Sequence, residues 1–534
     1  MPLPDRDIAW PPTDPVVQTA LADWDAWYSS DPDRLGDRYL NRGIRELPEN
    51  RPSQYRGGVL GTIARWFWGQ PTEPGQKREK LHIPLAGDIA RTSSMLLFSE
   101  PPTLSGSNDA TKKRLEMLQE QLHPTLLEGG EVCAALGGAY LRLVWDEEIS
   151  DRPWLTAVPA DQAVPDFAHG RLRAATFWKV VEVDGNTVWR HLERHERGRI
   201  LHALYVGTPG MLGRRVPLQD HPSTEPIARE ITSEDWIDTG APKHLTASYA
   251  PNVRPARAWR NIPAAAYWGQ SDFQGIEPLM DALDETWSSW MRDIINGKGR
   301  IVVPNSMLDS LGPGQGAAWN EERRIYSGLN MLQRPGDPNP LEVVQFEIRV
   351  QQHMDTCSAL VAEAARQAGY SASTFGEHGE GQAVTATEIK ARERRSLITR
   401  ARKALYWQPA IADALAAQLA VEAGPLFGVR GLDLEPPEVE FQDSISEGLG
   451  ELATTAELLS RAEAASRETL VRLVHPDWKD EQVTAEVDKI MTESGRNVAD
   501  PDETGAEGEG VPNAGIPSDG GGPGGRGGPP VRGR

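Results

Sequence analysis

Cysteine is nearly absent: Cys133 and Cys357 are the two in 534 residues. Neither has a metal-type neighbour spacing, which argues against a disulfide framework or a zinc module and fits a reducing compartment. No run approaches the roughly 18 apolar residues of a membrane span, and the opening Met1-Pro-Leu-Pro-Asp5 is no signal peptide, so no membrane partner is expected. A basic excess is lacking as well. The chain has 56 Lys and Arg against 77 Asp and Glu, a net charge of -21, which argues against a protein gripping nucleic acid over a broad basic face.

The motifs of common chemistries are missing too. There is no Gly-x-x-x-x-Gly-Lys-Ser/Thr loop to cradle phosphates, so an intrinsic ATP motor is not expected. Gly312-Pro-Gly-Gln-Gly316 lacks the strand-to-helix context of a dinucleotide site and reads as a loop. Gly-x-Ser-x-Gly does not occur, and neither cysteine has neighbours that mark a nucleophile. His191 and His195 fall in an expected strand, where positions four apart diverge. With Glu193 and Glu196 they read as surface pairs rather than zinc ligands. No catalytic, cofactor or metal residue is assigned.

What the chain does have is length, tryptophan and helical periodicity. Its 534 residues allow about three lobes. The 17 Trp residues point to buried anchors or subunit interfaces. Residues 1–80 read as a peripheral arm, with a short helix carrying Leu21, Trp24, Trp27 and Tyr28. Residues 81–270 read as an α+β body. Helices are expected at Ala90 to Phe98, Ala110 to Leu122 and Leu126 to Leu136, then strands at Ala139 to Trp145, Leu155 to Val158, Ala174 to Val183, Thr187 to Glu193 and Ile200 to Tyr205, with a hairpin turn at Asp184-Gly185. Met211 to Asn261 reads as a polar, Pro-rich connector.

From Ile276 to Ile295 the apolar residues Leu279, Met280, Leu283, Trp287, Trp290 and Met291 share one helical face, and Asn296-Gly297 should end that helix. A second amphipathic run carries Val350, Met354, Cys357, Val361, Ala364 and Ala368 and stops at Gly369. Two helices of roughly 20 residues make a stalk about 30 Å long. Such a stalk has too little core of its own, so its stripe needs the parent domain or further copies. A Gly- and Ser-rich loop, 370–384, follows. Thr385-Ala-Thr-Glu388 then has the form of a capping box and opens a long helix that Pro409 should bend. That helix begins with Lys390, Arg392, Arg394, Arg395, Arg400, Arg402 and Lys403, read either as a solvated face with i, i+4 pairs or as cations for neighbouring subunits or DNA. Beyond Gly424 a short strand (Leu432 to Phe441) and three short acidic helices are expected. From about Arg496 a Gly-, Pro- and Glu-rich tail cannot bury enough apolar surface to order itself.

Several stretches together resemble one family. Tyr267-Trp-Gly-Gln-Ser-Asp-Phe-Gln-Gly275, Gly299-Arg-Ile-Val-Val-Pro304, Gln345-Phe-Glu-Ile-Arg349, Ala368-Gly-Tyr-Ser371, Thr374-Phe-Gly376, Ala386-Thr-Glu-Ile389, Ser466-Arg-Glu-Thr-Leu470 and His475-Pro-Asp-Trp478 occur in the order found in portal proteins, the head-to-tail connectors of tailed bacteriophages. The resemblance spans about residues 80 to 495 and is to the portal type typical of long-tailed phages.

It implies a mainly helical α+β portal fold: wing (81–270), stem helix 1 (271–298), clip (299–344), stem helix 2 (345–369), channel loop (370–384), long wing helix (385–430), crown (431–495) and disordered tail (496–534). It also implies a non-enzymatic subunit of a twelve-membered ring at one capsid vertex, through which double-stranded DNA is packaged and ejected. The implied partners are further copies of itself, the terminase large subunit, head-completion or adaptor proteins, major capsid and scaffolding proteins, and DNA held without sequence preference. The implied location is the virion, and the host cytoplasm during assembly.

By the same resemblance Ser373, Phe375, Gly376, Glu377, His378 and Glu380 are channel-loop candidates. Leu283, Trp287, Trp290, Met291, Met354 and Val361 are stem-interface candidates, Lys390, Arg394 and Arg395 form the basic helix, and Arg300, Arg323, Arg324 and Tyr326 fall in the clip. The alternatives are another virion structural or adaptor protein, or an unrecognised α+β nuclease or hydrolase.

Overall fold

The computed structural model describes residues 3–42, 81–231, 236–296, 300–302, 309–310, 317–318, 342–344, 348–376, 386–441, 449–462, 464–475, 478 and 480–493. It divides into two compact units, 1–444 and 445–534.

In the first unit, helices α1 (Pro15–Tyr28) and α2 (Pro32–Arg42) come before α3 (Leu85–Phe98), strand β1 (Thr103–Ser105) and α4 (Asp109–Leu136). A first sheet starts with β2 (Gly138–Val144) and β3 (Trp154–Pro159). A second runs through β4 (Ala163–Ala168), β5 (Arg171–Asp184), β6 (Thr187–Glu196), β7 (Arg199–Thr208) and β8 (Met211–Val216). Helix α5 (Glu225–Glu230), β9 (Trp236–Asp238) and β10 (Ala247–Pro251) lead to α6 (Glu277–Asn296). The short strands β11 (Arg300–Val302), β12 (Asp309–Ser310), β13 (Ala317–Ala318) and β14 (Glu342–Val344) precede α7 (Val350–Ala368), α8 (Ala386–Ala423) and β15 (Glu438–Glu440). Helices α9 (Leu449–Arg461), α10 (Arg467–Val474) and α11 (Asp480–Glu493) lie in the second unit.

The fold is α+β, with antiparallel strand pairing throughout the described sheets. Strands β4 to β8 form a meander, with β9 also on β7, and β10-β2-β3 form a separate three-stranded sheet. The Asp184-Gly185 signal is met by the β5–β6 hairpin, in which Asp184 faces Thr187 and Gly185 takes the left-handed conformation at φ 57°.

Where the fold departs from the sequence reading, the cause is tertiary. The N-terminal helix is no peripheral arm: Val17, Leu21, Trp24 and Trp27 are buried in the central core with Trp259, Ile276 and Met280. Its Trp-rich stripe is too apolar to leave in water and closes on the base of α6, where Trp24 Nε1 donates to Glu277 Oε1 at 3.2 Å. The helices expected before and after His123-Pro124 are one, α4, which runs through Pro124 because Leu122 and Leu126 on either side are both buried. Its start is capped by the Asn108 side chain accepting from Thr111 N, and its end by Gly137 at φ 84°.

The segment 211–261 is more than a connector: it supplies helix α5 and strands β8, β9 and β10, which pair with β7 and β2. The long helix closes at Ala423 rather than 430 and passes through Pro409 as a continuous helix. Residues expected to open the crown belong instead to the first unit, since β15 pairs with β1, Val439 is buried and the Phe441 ring lies 5.6 Å from Phe98.

Candidate functional site

Helices α6 and α7 form the candidate site. Helix α6 carries an apolar stripe on one face and buried polar residues, Glu277, Asp281, Asp284 and Ser288, on another. The polar stripe has fixed partners. Asp284 accepts from His82 Nδ1 and from Ile83 N, each at 2.8 Å, and Ser288 Oγ accepts from Leu81 N at 2.9 Å. The segment 81–83 is thereby laid along the helix. Burial raises the carboxyls of both Glu277 and Asp284 above their ordinary range.

At its far end the pair is closed by charge. Asp293 on α6 accepts from His353 Nε2 at 3.0 Å and from Arg349 Nη2 at 2.9 Å, and these two contacts, His353 first, hold its carboxyl low. The Trp290 and His353 rings stack with centroids 6.0 Å apart.

The near end is tied by a buried hub. Lys403 Nζ on α8 lies 2.6 Å from Asp272 Oδ2, just ahead of α6, and donates to Ser93 Oγ on α3 at 2.7 Å. Tyr370, just after α7, donates its hydroxyl to the same Asp272 oxygen at 2.7 Å, and Asn252 Nδ2 donates to Asp272 Oδ1 at 2.8 Å. Burial pushes the Tyr370 hydroxyl well above the usual tyrosine range, so it stays a donor. The approach to Asp272 is tight. A side chain at Gly269 would sit 2.1 Å from the Gly137 carbonyl, so only glycine fits there. One carboxylate thus joins both helices of the pair to α3 and α8. Among the described residues no His, Cys, Asp and Glu group suits a metal ion.

The sequence candidates separate by depth. Leu283 is buried in the central core, Trp287 and Val361 are half-buried against it, and Trp290 and Met291 are half-buried, whereas Met354 is exposed. Ser373 and Phe375 do not project as a tip. They sit in a 3-10 turn, Ala372–Phe375, where Phe375 packs on the core, its ring 6.2 Å from that of Tyr370, and Thr374 is bonded to Ser396 of α8. Gly376 ends that turn at φ 81°.

Glu377, His378, Glu380, Arg323, Arg324 and Tyr326, and the expected capping Thr385, lie outside the described residues. Arg300 is placed only as a backbone position of β11, and Lys390 as one of α8.

The basic stretch is neither uniformly solvated nor uniformly available. Arg394, Arg395 and Arg402 are exposed, but Arg400 is buried and donates to the Leu96 carbonyl at 2.6 Å, and Lys403 is the hub cation. The histidines read as surface pairs are buried. His191 stacks on His202 at 5.2 Å, and His195 bonds Glu193 at 2.6 Å and Thr246 at 2.7 Å. The second sheet is covered there by β10 and its neighbours, so polar residues on that face needed internal partners.

Sequence reading missed Asp272, Tyr370, Glu277 and Asp284. For the two on α6 the available signal was polar residues at helical spacing, Glu277, Asp281, Asp284 and Ser288, beside the apolar stripe.

Helices α6 and α7 thus run antiparallel and are fastened to the α+β body by a buried ionic hub. Residues 262–499 match the family model "Phage portal protein, SPP1 Gp6-like", a structural and non-enzymatic family. The match supports the resemblance to tailed-phage portal proteins over that stretch.

Solved chains that this one matches come from the "Virion of native gene transfer agent (GTA) particle" (14% identity, 82% of this chain and 98% of that one, TM-score 0.37). Others come from the "Neck of native GTA particle computed with C12 symmetry" (16%, 74% and 90%, TM-score 0.35) and the "Neck of empty GTA particle computed with C6 symmetry" (15%, 80% and 96%, TM-score 0.36). No curated protein matches the chain.

Proposed function

We propose that the chain is the subunit of a twelve-membered portal ring at one capsid vertex, with α6 and α7 as its stem. The observation that carries this reading is a gradient along the pair. Near the hub Ile276, Met280 and Leu283 are at most 1% exposed, while toward the far end Ile294 is 38% exposed, Val350 44% and Met354 47%. A lone stalk gains nothing from apolar residues in water, and neighbouring stalks in a ring bury them. The family match over this stretch supports the same reading.

In this ring residues 299–344 are the clip, where the terminase large subunit docks during packaging and head-completion or adaptor proteins dock afterwards. Capsid and scaffolding proteins surround the body. Residues 377–384 reach the channel and meet double-stranded DNA without sequence preference. A net charge of -21 suits a bore along which DNA slides, because each added cation would strengthen phosphate binding.

Deleting Gly376 to Gly381 tests this assignment. Rings that still assemble but package or retain little DNA are expected, and failure of the deleted chain to assemble contradicts a channel role for the loop.

A further inference from the structure

Beside the hub lies an open cleft of about 1030 Å³, bounded by the end of α7, the start of α8 and residues 253–258. Its rim carries Arg257, Arg366, Arg394, Arg395 and Arg402. Asp272 is the only carboxylate among the described residues lining it, and its charge is met by Lys403. Arg366 is held by Glu363, whose charge Arg395 also feels, and Arg402 donates to the Arg254 carbonyl, so among the described residues five arginines face the opening with Glu363, outside it, as their acidic neighbour. This is a strongly cationic patch on a chain of net charge -21.

The opposite patch lies at the other end of the same helix. The turn after β2 exposes Asp146, Glu147 and Glu148 with Ile149, which is 71% exposed. Glu230 of α5 joins them: its carboxyl is raised by burial and then by the charges of Glu147 and Asp146. The turn is firmly mounted. Trp145 Nε1 donates to the Ser150 carbonyl at 2.9 Å, the Trp145 ring lies 5.0 Å from that of Phe427, and Gln418 of α8 donates to the Pro153 carbonyl at 2.8 Å. From Arg395 to Gln418 the helix rises about 35 Å, so the two patches do not meet within one chain.

We propose that the arginine cleft of one copy receives the acidic 146–149 turn of a second copy. The proposal rests on the ring reading above and specifies its contact. Two different, complementary patches far apart on one subunit are what a head-to-tail interface requires, and such interfaces close into rings. Arginine forks engage carboxylates in pairs, which suits a turn carrying Asp146, Glu147 and Glu148 side by side. Strongly acidic subunits otherwise repel one another, so local opposition of charge also sets their register.

Purified full-length protein is compared as wild type, Arg394→Glu/Arg395→Glu, Glu147→Arg/Glu148→Arg, and the four-fold combination, by native mass across a concentration series. Each reversal is expected to raise the concentration for half-assembly about tenfold or more, and the combination to restore it. All four changed sites are exposed, and the turn variant tests the pairing independently if the helix variant folds poorly. A wild-type ring that neither reversal weakens overturns the pairing and leaves the ring reading standing. A wild type that stays monomeric overturns both. Arg394→Glu/Arg395→Glu that keeps the ring but no longer shifts a short DNA duplex assigns the cleft to phosphate instead.

Discussion

Lys403 Nζ and Asp272 Oδ2 lie 2.6 Å apart with their side chains 2% and 1% exposed, a buried ion pair between the middle of α8 and the threshold of α6. The pair is satisfied on all sides by Ser93, Tyr370 and Asn252, so neither charge is left to face the apolar interior alone. Its removal is therefore asymmetric in cost.

Lys403→Met leaves the Asp272 carboxylate buried without its cation and is expected to cost about 3–5 kcal/mol in denaturant unfolding. Adding Asp272→Leu should recover much of that loss. A loss under about 1 kcal/mol for Lys403→Met would show that the hub does not hold the helix pair to the body.

Trp24→Ala should cost about 3–5 kcal/mol, because the indole is buried between Trp259, at 5.7 Å, and the base of α6. Removal of residues 1–30 with unchanged thermal stability would return the N-terminus to the role of an appendage.

Acid should weaken the second sheet before it titrates most carboxylates. Burial holds His191 down at about 3 and His202 at about 4. The unfolded chain takes up these protons near about pH 6.5, whereas the folded chain does not. The stability contribution is full above that value and is lost as pH falls toward 4 and then 3. The drop in Tm between about pH 7 and about pH 5 should be smaller in His191→Gln/His202→Gln than in wild type. Equal drops would assign the acid sensitivity elsewhere.

Met354→Asp changes an exposed position and should shift monomer stability within about 0.5 kcal/mol while preventing assembly. Trp287→Asp should also prevent it, at a greater cost to folding because the ring is half-buried against the core. Normal rings from Met354→Asp would place the subunit contact on another face.

Local pattern carried much of the architecture. Helices α6 and α7 end at Asn296 and Ala368, where Gly297 and Gly369 mark their limits, and Gly369 takes φ 99°. The β5–β6 hairpin follows Asp184-Gly185 in the same way. Long-range partners were not legible, because nothing local says that Lys403 meets Asp272 or that His191 stacks on His202. The polar character of 211–261 hid strands whose pairing is backbone to backbone. Trp24 was placed in a peripheral arm, because its partner Glu277 lies 253 positions away. Of the site, the apolar stripe was visible in its spacing, while the hub that fixes it was not.

The central claim, that this chain works as a ring, is tested most directly by the native mass of the purified wild-type protein. With a chain of 58.7 kDa the account predicts a particle of roughly 700 kDa with a central hole under negative stain. A species that stays at the mass of one chain at every concentration would contradict it.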